Sequence, residues 1–178
     1  METSIEQLKI KAADIKWLFT DVDGTLTDGC VYVSPQCEAL KRFSLRDGTG
    51  FFLLRQAGVK VGIITGENSA IVTQRAKKLE VDALLMNAVP KVNALETFCQ
   101  SNSLKFSELA YIGDDINDIR PIEACGLSFA VADCDSRVSK IVDYLCIHPG
   151  GNGAFREAAE KLLQLKGVDI NMIIHQNL

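Results

Sequence analysis

The chain is predicted to be an α/β protein: a Rossmann-like, doubly wound parallel sheet with a β-hairpin flap and no cap domain. Three observations predict it. From residue 48 onward, helical segments alternate with short apolar runs across short connections, the pattern of parallel strands covered on both faces. Polar residues able to do chemistry follow several of those runs, at the strand ends where such sheets bind ligands. No repeat, low-complexity tract or linker divides the 178 residues, so one domain is expected over 1–178.

The elements follow in order. Thr3 and Glu6 have the spacing of a capping box that opens a short helix, so residues 1–16 form an N-terminal helical extension. Trp17-Leu18-Phe19-Thr20 is a brief apolar run entering Asp-x-Asp-Gly, a buried strand running into a loop. Val31-Tyr32-Val33 and residues 39–43 flank Ser34-Pro35-Gln36, which predicts a hairpin flap over 29–43. A helix over 48–57 stops at Gly58, and a strand over 59–64 follows. Helices are expected over 68–79 and 90–100, the second with Pro90 in its first turn, and an extended segment over 83–86 between them. Strands at 109–112, 127–131 and 144–147, with helices at 115–124 and 153–165, complete the sheet. Residues 167–178 are left as a C-terminal tail.

Composition excludes several classes. At 47% hydrophobic and 24% charged residues, a core can form and disorder is excluded. A net charge of −4 argues against a nucleic-acid footprint, which needs clustered Lys and Arg. The six cysteines form no C-x-x-C pair, and two histidines cannot rebuild a zinc site, so reduced thiols in a cytoplasmic protein are expected. The charged N-terminus has no apolar h-region, and no stretch is long and apolar enough for a membrane span.

Four sets of residues follow the predicted strand ends. They are Asp21 and Asp23, then Thr65 and Gly66, then Lys91, then Asp114, Asp115 and Asp118. In a doubly wound sheet these converge on one edge. Carboxylates gathered there repel one another unless a divalent cation holds them, and oxygen-only ligands select a hard ion such as Mg²⁺.

DVDGT, the strand-end Thr65, Lys91 and GDDIND resemble, in order, the four motifs of the haloacid dehalogenase superfamily. The resemblance implies that Asp21 is a nucleophile forming an aspartyl phosphate, with Asp23 protonating the leaving alkoxide and then deprotonating water. Asp23 lies two positions along a segment taken as extended, which would put both carboxyls on one side. By the same resemblance Asp21, the Asp23 carbonyl and Asp114 hold Mg²⁺. Thr65, Lys91 and the backbone N–H groups near Gly24 and Gly66 hold the phosphoryl oxygens. Asp118 orients Lys91 or a metal-bound water, and Asp115 joins it in supporting the site.

The spans from Asp21 to Thr65 and from Thr65 to Lys91 are too short for a separate cap, so a neighbouring subunit is expected to close the site. This narrows the resemblance to the small capless phosphatases of bacterial sugar-acid synthesis, homotetramers that act on 3-deoxy-D-manno-octulosonate 8-phosphate for lipopolysaccharide. It extends to Arg46-Asp47-Gly48-x-Gly50 and to residues 150–157, with Arg156 meeting either the substrate carboxylate or the tail, or serving structure alone. Arg46 joins the expected substrate side through that motif. Glu67 departs from the pattern, where Arg is usual; with Lys78 it resembles relatives that act on a nine-carbon sugar-acid 9-phosphate. The pair could equally be a helix-start Glu and a surface Lys. A receiver-like phospho-acceptor is disfavoured because DxDGT opens the sheet rather than following its third strand, and a pseudoenzyme because every motif position is filled.

Overall fold

The computed structural model describes residues 4–35 and 38–177. Its elements are α1 (Ile5–Ala13), β1 (Trp17–Thr20), β2 (Thr27–Val33), β3 (Glu38–Phe43), α2 (Leu45–Gln56), β4 (Lys60–Ile64), α3 (Ala70–Leu79) and β5 (Ala83–Leu85). After these come α4 (Lys91–Asn102), β6 (Leu109–Gly113), α5 (Ile119–Ala124), β7 (Leu127–Ala130), β8 (Tyr144–Leu145), α6 (Ala154–Leu165) and α7 (Ile170–Asn177). Six strands form one parallel sheet in the order β5-β4-β1-β6-β7-β8, and β2 and β3 form a separate antiparallel hairpin.

β1 is central. Its four residues pair with 60–63 of β4 on one side and 109–112 of β6 on the other. All four are buried, as a strand covered on both faces requires. Alternation sends Leu18 into the core beneath α1, α2, α3 and α6, and Trp17 and Phe19 into the core beneath α4 and α5. Through β5 the chain builds the sheet to one side of β1, then α4 carries it back so that β6, β7 and β8 extend the other side. The order therefore reverses between β1 and β6, and a crevice opens at the carboxyl ends of those two strands.

α6 buries Phe155, Ala158, Ala159, Leu162 and Leu163, a helical spacing that lays one stripe on the sheet and α2. Each buried Phe or Leu there contributes about 1.5–3 kcal/mol. Phe155 stacks on Phe51 at 4.1 Å between ring centroids. A Cβ at Gly50 would lie 3.0 Å from the Arg156 Cα, so glycine permits this close approach of the helices. The buried Asp47 carboxylate accepts the Arg156 N–H at 3.1 Å and so caps α6 from α2.

Several boundaries differ from expectation. The first capping box is Ser4 with Gln7; Thr3 lies outside the described residues. α2 begins at Leu45, capped by Ser44, because Gly48 and Gly50 sit inside the helix. Pro90 is the N-cap of α4 with extended backbone, rather than a residue of its first turn. The helix expected at 115–124 is a 3₁₀ turn, Ile116–Asp118, running into α5, because the Asp118 carboxylate turns back onto the Asp114 and Asp115 N–H groups. β8 is shorter than expected, and β2 starts at Thr27. Gln36 of the predicted turn and Leu178 of the tail lie outside the described residues, whereas residues 170–177 of that tail form α7, which buries Ile173. Among the described residues no helix is long and apolar enough to cross a membrane.

Candidate active site

Because β1 and β6 are neighbours, the residues that follow them meet. The Asp21 N–H continues the ladder by donating to the Ile112 carbonyl at 3.0 Å, and Asp114 directly follows the last residue of β6. Carboxylate oxygens of Asp21, Asp114 and Asp118 lie within 4.8 Å of one another. Gly24 fits against this cluster with φ +91°, and a Cβ there would sit 2.0 Å from the Asp114 Oδ2. Thr25 of the same turn donates its hydroxyl to the Asp114 Oδ1 at 2.9 Å. The DVDGT loop is thus built around a carboxylate that arrives from the far half of the sequence.

Lys91 supplies the opposite charge. It opens α4 after β5, is buried, and places its ammonium 2.7 Å from the Asp21 Oδ1 and 2.6 Å from the Asp118 Oδ1. Asp118 also accepts the Tyr111 hydroxyl at 2.7 Å and the N–H groups of Asp114 at 3.0 Å and Asp115 at 3.2 Å. Four donors fill the lone-pair sites of one carboxylate. Asp118 therefore braces the cluster, while Asp21 and Asp114 keep acceptor capacity for a cation.

The charges remain unbalanced. Burial and the neighbouring Asp118 push the Asp21 carboxyl well above its usual range, and Lys91 offsets only part of this. Burial and then Asp118 raise Asp114 to about 6, against the Thr25 hydrogen bond and Lys91. Burial alone would lower Lys91, but Asp21 and Asp118 reverse the sign, so its net shift is upward and it stays an ammonium. Burial and then Asp118 also raise Tyr111, which keeps its hydroxyl a donor. Three carboxylates against one ammonium, all oxygen donors, fit a hard divalent cation.

Asp23 does not join this cluster. The chain turns immediately after Asp21, with the N–H groups of Thr25, Leu26 and Thr27 returning to the Val22 carbonyl, so the extended-segment argument for Asp23 does not hold. Its carboxylate, just over a third exposed, instead meets the Lys41 ammonium on β3 at 2.5 Å. The Gly24 N–H, expected at the phosphoryl group, donates to the Thr27 hydroxyl at 3.2 Å. Thr65 is buried at the end of β4, and its hydroxyl oxygen accepts the Glu67 N–H at 3.1 Å, which leaves its own proton free to donate. Gly66 lines an apolar cavity of about 230 Å³ with Val89, Pro90, Lys91, Ile116 and Arg120. Asp115 is exposed and caps Ile116.

The residues expected to touch the rest of the substrate are scattered. Glu67 is exposed beside Thr65, but Lys78 lies in the last turn of α3, about 13 Å along the axis from the Ser69 cap, because that helix runs back toward the amino edge of the sheet. Within one chain the two do not meet. Arg46 and Arg156 share a cleft of about 290 Å³ with His148 and Asn152, and no carboxylate of the cluster lines it. Arg156 pairs there with Glu160 at 2.7 Å.

Residues 71–156 match the profile of the haloacid dehalogenase-like hydrolases. The chain is 38% identical to the 3-deoxy-D-manno-octulosonate 8-phosphate phosphatase of Haemophilus influenzae, over 88% of this chain and 87% of that one. The solved structure of the Moraxella catarrhalis 3-deoxy-D-manno-octulosonate 8-phosphate phosphatase in complex with magnesium, phosphate and KDO superposes with a TM-score of 0.92. It is 31% identical and covers 98% of this chain and 100% of its own. The cobalt-bound H. influenzae enzyme gives a TM-score of 0.84, covering 88% and 92%. The chain belongs to the haloacid dehalogenase family and is a phosphoric monoester hydrolase of its capless branch.

Three residues of this phosphatase escaped sequence reasoning. Tyr111 carried a usable signal, since a tyrosine in a fully buried strand needs a partner for its hydroxyl. Thr25 sits within the first motif, but its bond to Asp114 spans chain segments that no local pattern links. Lys41 gave none. It lies on a hairpin whose other residues are mostly exposed, yet its own side chain is 3% exposed.

Proposed function

We propose that this phosphatase hydrolyses 3-deoxy-D-manno-octulosonate 8-phosphate with Mg²⁺, through an aspartyl phosphate on Asp21, in sugar-acid synthesis for lipopolysaccharide. One observation carries this reading: Asp21 and Asp114, from adjacent strand ends, share a buried cluster with Lys91 and Asp118. In the first half-reaction the Asp21 oxygen not held by Lys91 attacks phosphorus, the bond to the sugar oxygen breaks, and Asp23 gives that oxygen a proton. In the second, Asp23 takes a proton from water, the water oxygen attacks phosphorus, and the bond to Asp21 breaks to release phosphate. The Asp21 and Asp114 carboxylates and the Asp23 carbonyl would hold the metal; bound there, Mg²⁺ neutralises charge on the phosphoryl group. Thr65, Lys91 and the Gly66 N–H take the remaining phosphoryl oxygens.

The sugar-acid assignment rests on the identity with enzymes of that name. The nine-carbon alternative rests on Glu67 and Lys78, which one chain holds at opposite ends of α3, so both would serve one substrate only across a subunit boundary. The missing cap and the exposed Val31, Tyr32, Val33 and Leu40 on the hairpin, an apolar surface suited to a second copy, support a homotetramer, and the free thiols of Cys30, Cys99, Cys125, Cys134 and Cys146 support a reducing, cytoplasmic setting. Phosphate release from the eight-carbon and nine-carbon esters, with Mg²⁺ or with EDTA, tests the reading. The octulosonate ester should turn over faster, and Asp21→Asn and EDTA should each abolish turnover. Hydrolysis of the nine-carbon ester alone, or an undiminished rate in Asp21→Asn, would overturn it.

A further inference from the structure

The hairpin does more than stand beside the site. Lys41, on β3, is the one residue of that strand whose charged group is enclosed, and it makes two ion pairs: 2.5 Å to the Asp23 Oδ1 and 3.0 Å to the Glu38 Oε1. The second oxygen of Glu38 accepts the Ser69 hydroxyl at 2.5 Å. Ser69 is buried and caps α3 at Val72, four residues past Thr65. A continuous polar chain, Asp23–Lys41–Glu38–Ser69, therefore joins the loop after β1 to the loop after β4 by way of the flap.

Such a chain fixes geometry. An ammonium with two carboxylate partners and 3% exposure has little freedom, so it holds one oxygen of Asp23 in a set direction, while over a third of the Asp23 side chain stays open to solvent and substrate. We propose that Lys41 is a positioning residue of the hydrolysis: anchored through Glu38 to Ser69, it aims the Asp23 carboxyl group at the leaving-group oxygen. This rests on the acid role given to Asp23 above. It makes the flap part of the reacting assembly, since a shift of β3 moves the acid.

The test separates leaving groups. An alkoxide such as the sugar 8-oxygen needs the proton, whereas p-nitrophenolate leaves without one, so a misplaced acid harms the first ester far more. In Lys41→Met, kcat for octulosonate 8-phosphate should fall at least ~10-fold further than kcat for p-nitrophenyl phosphate, a part of the ~100- to 10,000-fold that a positioned acid supplies. KM should change little, and Lys41→Arg should recover most of the loss. Glu38→Gln, which keeps Lys41, should show the same signature more weakly and carries the test if Lys41→Met does not fold. Equal losses on both esters, or none, would overturn the assignment. Asp23→Asn is the control: if it shows the leaving-group signature and the Lys41 variants do not, only the positioning role fails. If Asp23→Asn itself lacks the signature, the acid role fails and the positioning role with it.

Discussion

Replacing Lys91 with methionine keeps an unbranched side chain one atom shorter and removes the ammonium that touches both Asp21 and Asp118. Breaking a buried ion pair by deleting one partner costs about 3–5 kcal/mol, because the remaining charge is left uncompensated. For a chain of this size each kcal/mol lowers Tm by about 2–4 °C, so metal-free Lys91→Met should melt ~10 °C below the native protein. The loss should also depend on pH. Asp21 and Asp114 have carboxyl groups raised above the usual value in the folded protein. As pH climbs above about 4, the unfolded chain gives up these protons while the folded chain retains them, so stability falls. Without Lys91 that retention strengthens, so the gap between variant and native protein should widen from pH 5 to pH 8. Lys91 is itself charged throughout that range, its folded value being raised, and adds no slope of its own. Calorimetry of both proteins in EDTA at the two pH values measures this. An unchanged Tm, or a deficit equal at pH 5 and pH 8, would refute the electrostatic account of the cluster.

Gly24→Ala would put a Cβ at 2.0 Å from the Asp114 Oδ2 in a backbone region closed to alanine, so Mg²⁺-dependent turnover should be lost while the far-UV circular dichroism stays native. Glu157 accepts the Ile147 and His148 N–H groups, the His148 ring and the Tyr144 hydroxyl. Burial alone would raise its carboxyl, but these donors lower it below the usual value, so its contribution is present above about pH 4.5 and fades as pH falls through the folded value. Glu157→Gln should therefore lose roughly 1–3 kcal/mol in urea unfolding at pH 7, with the deficit shrinking near pH 3. Adding Mg²⁺ at a hundred times its dissociation constant should stabilise the native protein by about 2.7 kcal/mol. Titration calorimetry should show that affinity weakening as pH drops through about 6, where Asp114 takes up a proton.

The candidate site was legible because its parts are fixed by topology. Parallel strands deliver their carboxyl ends to one edge, so Asp21, Thr65, Lys91 and Asp114 had to gather there once β1, β4, β5 and β6 were recognised. Helix ends were less legible, since the residues that set them act at a distance. α2 keeps Gly50 inside because α6 packs close to it, and the 3₁₀ turn before α5 exists because Asp118 is drawn into the cluster. Neither cause is visible in a local window.

The substrate side was harder for a related reason. Resemblance to relatives acting on a nine-carbon ester paired Glu67 with Lys78, yet α3 carries Lys78 away from the edge where Glu67 stays. Arg46 and Arg156 are far apart in sequence, and they meet because Asp47 caps the helix that bears Arg156. The same logic hid Lys41. A lysine on an outer strand reads as solvated, and only the tertiary placement of β3 between Asp23 and Ser69 turns it inward. In this capless fold Asp21 and the residues that brace it follow the strands of the sheet, whereas the Asp23 carboxylate is held by Lys41 of a two-stranded flap with an exposed apolar surface. If Asp23 is the acid, as proposed, a second copy seated on that surface would act on its position through Lys41, and Lys41→Met should then uncouple leaving-group protonation from assembly.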